Sequence, residues 1–456
     1  MTKLNVLKAA FLAGCLGTSG CRHVDDAEKG ELYGKNFQAC IMDAKRKVFP
    51  AVAYIRGISK MTNFGETSKG TVIGSGVVIT HSGEVLTNWH VVNKMKDIRC
   101  QLSNGKFYRA ELIGSDKDTD LALLQLQLKE GEEIKEIASI KSSGTVKEGE
   151  FVMAMGAPWG LNRSVSIGII SCSRRYLQSN NQYSLWYQTD ASISPGNSGG
   201  PLVDSSGEVI GINTLGASLG GALGFAIPYE TIQTVVPRLR KYKKANWAWT
   251  GVDLQALNDF NLDISFDYEE GVIIKDVAEG SPADKAGLQQ LDRIIKINGS
   301  SVTAVSVEDV PEINMLLAAA PFDKALSLEF YRSNKLSRTK LYPEEKGATE
   351  GVELELKKWN MTVKTINKYD NEDLYFYCKK GVYVFAQGQR NYYNSSGLQP
   401  NDIIVDIDGE TVNSLDDIKK IYKEVLTQGM TKGKFIFTII RNGFTMKKVV
   451  KQAALR

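Results

Sequence analysis

Histidine is nearly absent from this chain, and its scarcity limits the chemistry the chain can perform. Only His23, His81 and His90 occur among 456 residues, and no group of histidines and cysteines has the spacing of a metal site, so no metal or other cofactor is predicted. A strong charge of one sign is also lacking. The net charge is +4, and the densest basic cluster, 238–244, is interpreted as a solvated helix end and linker rather than a patch for nucleic acid or anionic lipid.

The N-terminus lacks an apolar run long enough to cross a bilayer. The run AAFLAG at 9–14 is too short, and the two lysines before it give it the form of a secretory signal. Two cysteines compete as a lipidation site: Cys15 follows the better lipobox, whereas Cys21 leaves the apolar region a normal length and is favoured. The sequence therefore predicts a signal segment, 1–21, a flexible segment, 22–36, and an exported protein. A lipid tether to the membrane is favoured, and plain cleavage of the signal is the alternative.

Closely spaced cysteines are missing from the rest of the chain. Cys40, Cys100, Cys172 and Cys378 are widely scattered, which neither requires nor excludes a disulfide in an oxidising compartment. Apolar residues, in contrast, are plentiful: 43% of the chain is hydrophobic and 24% is charged. At this length, these proportions allow about three domains with proper cores.

The segment SPGNSGGPL at 194–202 sets a serine among glycines that let the backbone turn sharply. A tight turn without chemistry is the alternative interpretation. When a serine attacks an amide carbonyl, negative charge forms on the carbonyl oxygen and must be met by fixed donors. The N–H groups of Gly196 and Ser198 are the candidate oxyanion hole, and Ser198 is the candidate nucleophile.

A serine nucleophile requires a base that takes its proton. His23 lies beside the export signal, and His81 falls in the turn of a predicted hairpin, where a histidine is usually solvated. His90 follows the second strand of that hairpin, in LTNWHVV, among apolar neighbours that could aim its imidazole into a cleft. A core histidine satisfied by its surroundings is the alternative, but the serine motif favours His90 as the base.

The base in turn requires a carboxylate that orients it. Asp120 opens the apolar run DLALLQL, which predicts a buried strand, whereas Asp116 and Asp118 are assigned to the polar turn before it. The chain order His90, Asp120, Ser198 is that of chymotrypsin-like double β-barrels and differs from the orders in subtilisins and α/β-hydrolases. Together the three residues predict a Ser-His-Asp triad.

Five segments carry a specific family resemblance: GSGVVI at 74–79, TNWHVV at 87–92, DLALL at 120–124, QTDASISPGNSGGPL at 188–202 and GFAIP at 224–228. With them the chain resembles the HtrA (Deg-type) family of trypsin-fold serine proteases. Trp89 and Ser194 depart from the family's usual alanine and asparagine and leave the triad intact. The resemblance implies a mainly β fold with a chymotrypsin-like double β-barrel protease domain at 37–240, which assembles as a homotrimer or a multiple of it.

Two internal repeats follow the protease domain. The segments GVIIKDV, SPADKAGL and DRIIKING recur as GVYVFA, SSGL and NDIIVDIDG. Each repeat resembles a PDZ domain, an α+β fold with a partly open β-barrel, and the two domains are placed at 247–343 and 352–456. PDZ domains bind an extended peptide end by adding it as a strand to a sheet edge, with backbone N–H groups holding the carboxylate. Exposed C-termini of polypeptides are therefore expected partners.

The two repeats differ at the loop that would hold the carboxylate. In the first repeat this loop is predicted at Trp249, Thr250, Gly251 and Val252. In the second, WNMTV at 359–363 is the weaker counterpart, because Asn360 and Met361 replace the usual small residues. The second domain is expected to serve assembly more than peptide capture, and a simple spacer is the alternative for either domain.

The substrate pocket is predicted from the resemblance. Trypsin-like enzymes that cut after Lys or Arg have a carboxylate six residues before the nucleophile, and the residue here is Ser192. A cationic side chain would be desolvated without a partner, so small to medium aliphatic residues are expected before the cut. The predicted pocket residues are Ser192, Ile193, Leu223, Gly224, Phe225, Ala226 and Ile227.

The sequence thus predicts an ATP-independent serine endopeptidase of the periplasm or cell envelope that degrades misfolded or unfolded polypeptides. A chaperone or scaffold that binds unfolded clients and rarely cuts them is the alternative, and casein degradation measured beside aggregation suppression would discriminate the two. A third candidate is a PDZ-regulated signalling protease with one dedicated substrate. Its sensor loops would be 61–69 and 174–183.

Overall fold

The computed structural model describes residues 26–63, 66–157, 164–177, 182–217, 223–264, 268–387, 397–427 and 433–451. Helix α1 (Asp26–Val48) comes first and leads into a 3₁₀ turn. It begins within the segment predicted to be flexible, before the predicted start of the protease domain. The candidate lipidation sites Cys15 and Cys21 lie outside the described residues, and within the described ones no helix combines the length and apolar character needed to cross a membrane.

The first barrel is built from six strands: β1 (Val52–Asn63), β2 (Glu66–Val78), β3 (Glu84–Asn88), β4 (Ile98–Gln101), β5 (Phe107–Asp116) and β6 (Leu121–Leu126). They close in the order β1-β2-β3-β6-β5-β4. β5 alternates buried and exposed residues over much of its length, as a strand with one face on a core does. β6 is buried at nearly every position, as its apolar run predicts. Between β3 and β4, helix α2 (Trp89–Val92) forms one helical turn.

The second barrel has the same strand number: β7 (Phe151–Gly156), β8 (Ser164–Arg175), β9 (Trp186–Thr189), β10 (Pro201–Asp204), β11 (Val209–Ala217) and β12 (Leu223–Pro228). They close in the order β10-β11-β12-β9-β8-β7. Two closed barrels confirm the predicted fold class.

Helix α3 (Tyr229–Tyr242) closes the protease part and packs on β5 and β6. It runs into the basic cluster at 238–244, which the sequence predicts to be a helix end and linker, and is capped by Lys243 in a left-handed conformation with φ 65°. The helix end approaches β5 so closely that a Cβ atom on Gly114 would lie 2.6 Å from the Lys243 carbonyl oxygen. Only glycine leaves room for this contact.

The first PDZ domain contains a five-stranded path: β14 (Val252–Gln255), β15 (Val272–Val277), β16 (Arg293–Ile297), β18 (Leu326–Arg332) and β19 (Lys335–Leu341), in that order. β17 (Ser300–Ser301) pairs with β16, and β13 (Ala248–Trp249) pairs with β20 (Glu344–Glu345). Its helices are α4 (Leu257–Ile264), α5 (Pro282–Lys285) and α6 (Val310–Ala318). A separate cluster of buried residues, including Ile274, Ile294 and Leu328, forms its core.

The second PDZ domain has the strand order β21-β22-β23-β24-β26-β27, with β25 on β24, where the strands are β21 (Glu353–Leu356), β22 (Met361–Thr365), β23 (Val382–Gln387), β24 (Ile403–Ile407), β25 (Glu410–Thr411), β26 (Lys434–Arg441) and β27 (Phe444–Lys451). Its helices are α7 (Glu372–Tyr377) and α8 (Leu415–Thr427). The repeats share an ion pair between a partly exposed arginine and a buried aspartate, Arg332 with Asp292 and Arg441 with Asp402, at 2.6 Å in both domains. This shared pair agrees with the predicted internal repetition.

The four cysteines outside the signal segment carry free thiols. Cys100 is fully buried, and burial raises the pKa of its thiol to about 12. Because the thiolate is the reactive form, Cys100 is a core residue rather than a reactive group.

Candidate active site

His90, in helix α2, and Asp120, directly before β6, form a hydrogen-bonded pair on the side of the first barrel. His90 Nδ1 lies 2.8 Å from Asp120 Oδ2 and 3.0 Å from Oδ1, and the His90 backbone N–H donates to Oδ1 at 3.0 Å. Two carboxylate oxygens facing Nδ1 place the imidazole proton there, which leaves Nε2 with a lone pair. Asp120 therefore fixes both the position and the tautomer of His90.

The other two histidines are not brought into this site. His81 lies at the turn between β2 and β3, where its Nδ1 is 2.7 Å from the carbonyl oxygen of Ile134. His23 falls outside the described residues.

Asp120 adopts an uncommon backbone conformation, with φ 55°. Its carbonyl oxygen accepts hydrogen bonds from the Trp89 N–H at 3.0 Å and from Asn88 Nδ2 at 3.1 Å. A left-handed aspartate costs free energy unless its surroundings hold it. These two bonds tie it to the end of β3 and the start of α2, directly beside His90.

Ser198 lies in the loop between β9 and β10. The loop begins with a turn in which the Asn197 N–H donates to the Ser194 carbonyl oxygen at 2.9 Å and Gly196 has φ 104°. Proline followed by a residue with positive φ is the pattern of a type II turn, which explains Pro195 and Gly196 in the sequence. The N–H groups of Gly196 and Ser198 donate no hydrogen bond within the described residues, so both remain available to an incoming oxygen.

A buried serine in β2 supports this loop. Ser75 Oγ donates to the Gly196 carbonyl oxygen at 2.6 Å and accepts from the Ala157 N–H at 2.8 Å, and the Ser75 N–H donates to the Ser198 carbonyl oxygen at 2.8 Å. Gly199 packs so tightly here that a Cβ atom would lie 2.1 Å from the Ser75 carbonyl oxygen. Sequence reasoning quoted Ser75 only as part of a motif; its position between two glycines was the available signal.

Two polar residues connect the serine loop to the His90–Asp120 pair. Ser198 Oγ donates to the Thr214 carbonyl oxygen at 3.0 Å, and Asn88 Nδ2, which also bonds Asp120, donates to Thr214 Oγ1 at 2.8 Å. Asn88 is fully buried and Thr214 nearly so. From the sequence, Asn88 was noted only within the TNWHVV segment and Thr214 was not singled out, because the partners of both residues lie far away in the chain.

The Ser198 hydroxyl does not hydrogen-bond to His90 in the described part of the chain, because its proton points to Thr214. Catalytic hydrogen bonds are often not formed until substrate is bound.

The predicted pocket residues lie on two facing segments. Ser192 is exposed, and its carbonyl oxygen accepts from Ser166 Oγ at 2.6 Å, so it is not a buried pocket base. Ile193 reaches Gly224 in β12: a Cβ atom on Gly224 would lie 2.8 Å from Ile193 Cδ1. Behind them Phe225, Ala226 and Ile227 are buried, while Leu223 is partly exposed. The Ile193 side chain thus narrows the space between the two segments.

The assignment of Asp116 to a solvated turn is wrong. Asp116 is the last residue of β5 and is buried, with its carboxylate accepting from Thr119 Oγ1 at 2.6 Å and from Trp247 Nε1 at 3.1 Å. Burial, reinforced by the neighbouring Asp118 carboxylate, raises the pKa of Asp116 to about 6. Asp118 forms an ion pair with Lys346 at 2.7 Å.

The raised pKa of Asp116 predicts a pH-dependent stability. The folded chain holds this proton more tightly than the unfolded chain, whose aspartates titrate near pH 4. Between about pH 4 and 6 the Asp116 contribution to the free energy of unfolding therefore falls as pH rises, by at most about 3 kcal/mol. Asp116→Asn should remove this loss, so the variant gains stability relative to the parent chain on going from pH 4 to 8. The test measures urea unfolding midpoints of the parent chain, Asp116→Asn and the control variant Glu111→Gln, at an exposed position of the same strand, at pH 4 and pH 8. If the difference in midpoint between Asp116→Asn and the parent chain does not change with pH, the prediction is wrong.

The predicted carboxylate loop of the first PDZ domain contains backbone N–H groups that donate no hydrogen bond in the described part of the chain. The N–H groups of Thr250 and Gly251 donate no hydrogen bond within the described residues, and Gly251 has φ 83°. Trp249 pairs with Glu344, and Val252 begins β14, which has one strand neighbour, β15. The loop thus presents N–H groups at the end of an open sheet edge, as carboxylate binding requires.

The predicted sensor segments have different surroundings. Segment 61–69 is the tip of the β1–β2 hairpin, with 64–65 outside the described residues. In segment 174–183, Arg174 forms ion pairs with Glu312 of α6 and, at 3.1 Å, with Asp309 just before it. Because α6 packs beside β14, this contact joins the protease barrel to the helix that flanks the open edge of β14.

Known proteins share this architecture. A family model described as a trypsin-like peptidase domain matches residues 74–212, and one described as a PDZ domain matches residues 241–315. A probable periplasmic serine endoprotease DegP-like from Marinomonas sp. (strain MWYL1) is 33% identical over 393 residues, which cover 82% of this chain and 78% of that protein. A protein of the same description from Chlamydia pneumoniae is 31% identical over 366 residues, covering 78% and 72%.

Solved structures agree with these relatives. The HtrA-type protease AlgW with a tripeptide is 29% identical and superposes with a TM-score of 0.58, covering 67% of this chain and 97% of that one. The serine endoprotease from Yersinia pestis is also 29% identical, with a TM-score of 0.50 and the same coverage.

Proposed function

Because the chain belongs to the HtrA (Deg-type) family of trypsin-fold serine endoproteases, and is therefore a serine endopeptidase, we propose that Ser198 is its nucleophile, with His90 as the general base and Asp120 as the group that orients His90. The observation that carries this proposal is the clamped His90–Asp120 pair, joined through Asn88 and Thr214 to Ser198. No other histidine in the described residues has a carboxylate at its Nδ1.

The proposed reaction follows from the proton positions. Ser198 Oγ attacks the scissile carbonyl carbon as its proton passes to His90 Nε2, and Asp120 stabilises the imidazolium that results. The N–H groups of Gly196 and Ser198 stabilise the oxyanion. His90 then gives the proton to the leaving amine, which leaves an acyl group on Ser198. Water, deprotonated by His90, hydrolyses this ester and restores the serine.

The proposed substrates are unfolded or misfolded polypeptides of the cell envelope. Relatives described as periplasmic serine endoproteases support this location. The same proposal includes assembly as a trimer and an N-terminal lipid anchor. The test against a chaperone with little proteolysis uses reduced casein and an aggregating client. The proposal expects casein degradation that stops in Ser198→Ala, whereas a chaperone would suppress aggregation equally in both proteins and degrade little casein.

The pocket geometry supports cleavage after small to medium aliphatic residues. Ile193 fills part of the space beside Gly224. Asp190, the acidic residue closest in sequence to Ile193, is exposed, and its carboxylate accepts from the Ile169 N–H at 2.7 Å, so it does not supply a buried charge for a Lys or Arg side chain. Mapping of cut sites should therefore find Val, Ala, Ile or Leu before the cut and few Lys or Arg.

Ile193→Ala should widen the pocket and shift this preference toward Phe and Met. One to a few methylene groups in an apolar pocket change selectivity by about 10- to 200-fold. The ratio of kcat/KM for paired peptides with Phe or Val before the cut measures the shift, with exposed Ser194→Ala as the control. An unchanged ratio would show that Ile193 lies outside the pocket.

The first PDZ domain is proposed to capture exposed C-termini. A peptide with a free apolar C-terminus should bind the full-length Ser198→Ala chain at micromolar strength, about −8 kcal/mol. Amidation removes the charge that the Thr250 and Gly251 N–H groups would meet, so binding should weaken about tenfold or more. Calorimetry compares the two peptides, and equal affinities would exclude carboxylate recognition.

A further inference from the structure

Equivalent positions in the two PDZ domains can be matched through an irregularity that their sheets share. β14 and β22 each contain a shift of register against the next strand, after Asp253 in the first domain and after Thr362 in the second. Two residues before each shift, Gly251 and Asn360 both have positive φ, at 83° and 50°. β22 is therefore the counterpart of β14, the strand to which a PDZ ligand adds.

These two counterpart strands have different neighbours. Within the described residues β14 ends its sheet, with β15 on one side and helix α6 beside it. β22 lies between two strands, β23 on one side and β21 on the other. The edge that is open in the first domain is thus occupied in the second by the chain's own residues Glu353–Leu356.

β21 occupies the edge in the manner of a peptide ligand. It runs antiparallel to β22, from Glu353 opposite Lys364 to Leu356 opposite Met361. Leu356 is fully buried, in the same apolar cluster as Ile418 of α8. Helix α8 corresponds to α6, so Leu356 lies where the last side chain of a bound peptide would be held.

In the loop after β21, backbone N–H groups bond within the domain, including that of Asn360, the counterpart of Gly251. The Lys358 N–H donates to the Tyr422 hydroxyl at 2.8 Å, and the Asn360 N–H donates to the Lys357 carbonyl oxygen at 3.1 Å. Trp359, the counterpart of Thr250, is buried with its ring centroid 5.1 Å from that of Tyr422. In the first domain, the N–H groups of Thr250 and Gly251 donate no hydrogen bond within the described residues.

We propose that Glu353–Leu356 is a built-in ligand of the second PDZ domain, so that peptide C-termini bind the first domain alone. The same segment attaches the second domain to the protease, because Glu353 Oε1 lies 2.6 Å from Lys94 Nζ, just after helix α2. Peptide capture by the first domain rests on the proposed function. The occupancy of the second domain's peptide edge by Glu353–Leu356 does not rest on it.

Hydrogen–deuterium exchange of the full-length Ser198→Ala chain, resolved to single amides, tests the proposal. The Thr365 N–H donates to the carbonyl oxygen of Val352, just before β21. Because backbone N–H groups two residues apart in a strand point the same way, the Val363 N–H also faces β21. In β14 the corresponding N–H is that of Leu254, which directly follows the register shift. Without peptide, Val363 should exchange at least 100-fold more slowly than Leu254. A saturating free-acid peptide should slow Leu254 at least tenfold and change Val363 by less than twofold.

The possible failures are separable. Exchange of Val363 as fast as that of Leu254, or slowed by the peptide to the same degree, overturns the built-in ligand. A slow Val363 together with a Leu254 that ignores the peptide supports the built-in ligand and overturns capture by the first domain.

Variants of the segment give a second test. Leu356→Asp buries a charge and should release β21, raising Val363 exchange at least tenfold while Ile404 in β24 stays protected. Val352→Asp makes the same kind of change at a position that is 63% exposed and should alter neither amide. An unchanged Val363 in Leu356→Asp overturns the proposal.

If Leu356→Asp also exposes Ile404, the domain has unfolded and a crosslink decides instead. Glu355 and Thr362 lie opposite each other on β21 and β22. Glu355→Cys with Thr362→Cys should form a disulfide under mild oxidation without changing exchange elsewhere in the domain. Failure to crosslink would contradict the pairing.

Discussion

Replacing Ser198 with alanine is expected to lower kcat/KM for peptide hydrolysis by about 10⁵- to 10⁶-fold, because the variant has no hydroxyl to attack the carbonyl. Folding should be little affected. The Ser198 hydroxyl makes one hydrogen bond, to the Thr214 carbonyl oxygen at 3.0 Å, and such a bond contributes about 1 kcal/mol. Initial rates on a fluorogenic unfolded substrate measure the loss, and circular dichroism monitors the fold.

Ser194→Ala is the matched control for this change. Ser194 lies in the same loop, is exposed, and engages the turn through its carbonyl oxygen rather than its side chain. Its removal should change the rate by no more than a few fold. A Ser198→Ala chain that retains substantial turnover, or a Ser194→Ala chain that loses as much activity, would contradict the assignment of the nucleophile.

Asp120→Asn should lower kcat by about 10⁴-fold. The new side-chain amide would donate to His90 Nδ1 rather than accept from it, so the imidazole proton would move to Nε2 and the base could no longer take the serine proton. Packing should change little, because the oxygen of that amide can still accept from the His90 backbone N–H, which Asp120 Oδ1 now does at 3.0 Å.

The measurement is a steady-state rate with the exposed variant Asp97→Asn as control. Asp97 pairs with Arg99 at 2.9 Å, away from His90, and its change should leave kcat within twofold. If Asp120→Asn kept more than a tenth of the parent activity, another group would have to orient His90.

Much of the fold followed from local pattern. The apolar run of β6 predicted a buried strand, and the segments that recur in both repeats predicted two copies of one domain. The structure adds that each copy contains an ion pair between an arginine and a buried aspartate. The proposed site residues His90, Asp120 and Ser198 were predicted from residue type and chain order. These features lie within short segments, so neighbouring residues are enough to indicate them.

Features that depend on distant residues could not be predicted in this way. Asp116 looked like a turn residue, because the Trp247 ring that covers it lies 131 positions later in the chain. The role of Ser75 depends on the Gly196 carbonyl oxygen, 121 positions away. β21 gave no clear strand signal, since its four residues are stabilised mainly by pairing with β22. Pairing across such distances is set by the whole fold rather than by local propensity.

Reaction with a fluorophosphonate tests the central claim most directly, because only an activated serine attacks phosphorus and expels fluoride under mild conditions. Intact mass spectrometry of the full chain should show one added phosphonyl group per molecule, and peptide mapping should place it on Ser198. The adduct should be absent in Ser198→Ala and form far more slowly in His90→Ala. A chain that takes up no phosphonyl group, or takes it up at another residue, would contradict the account.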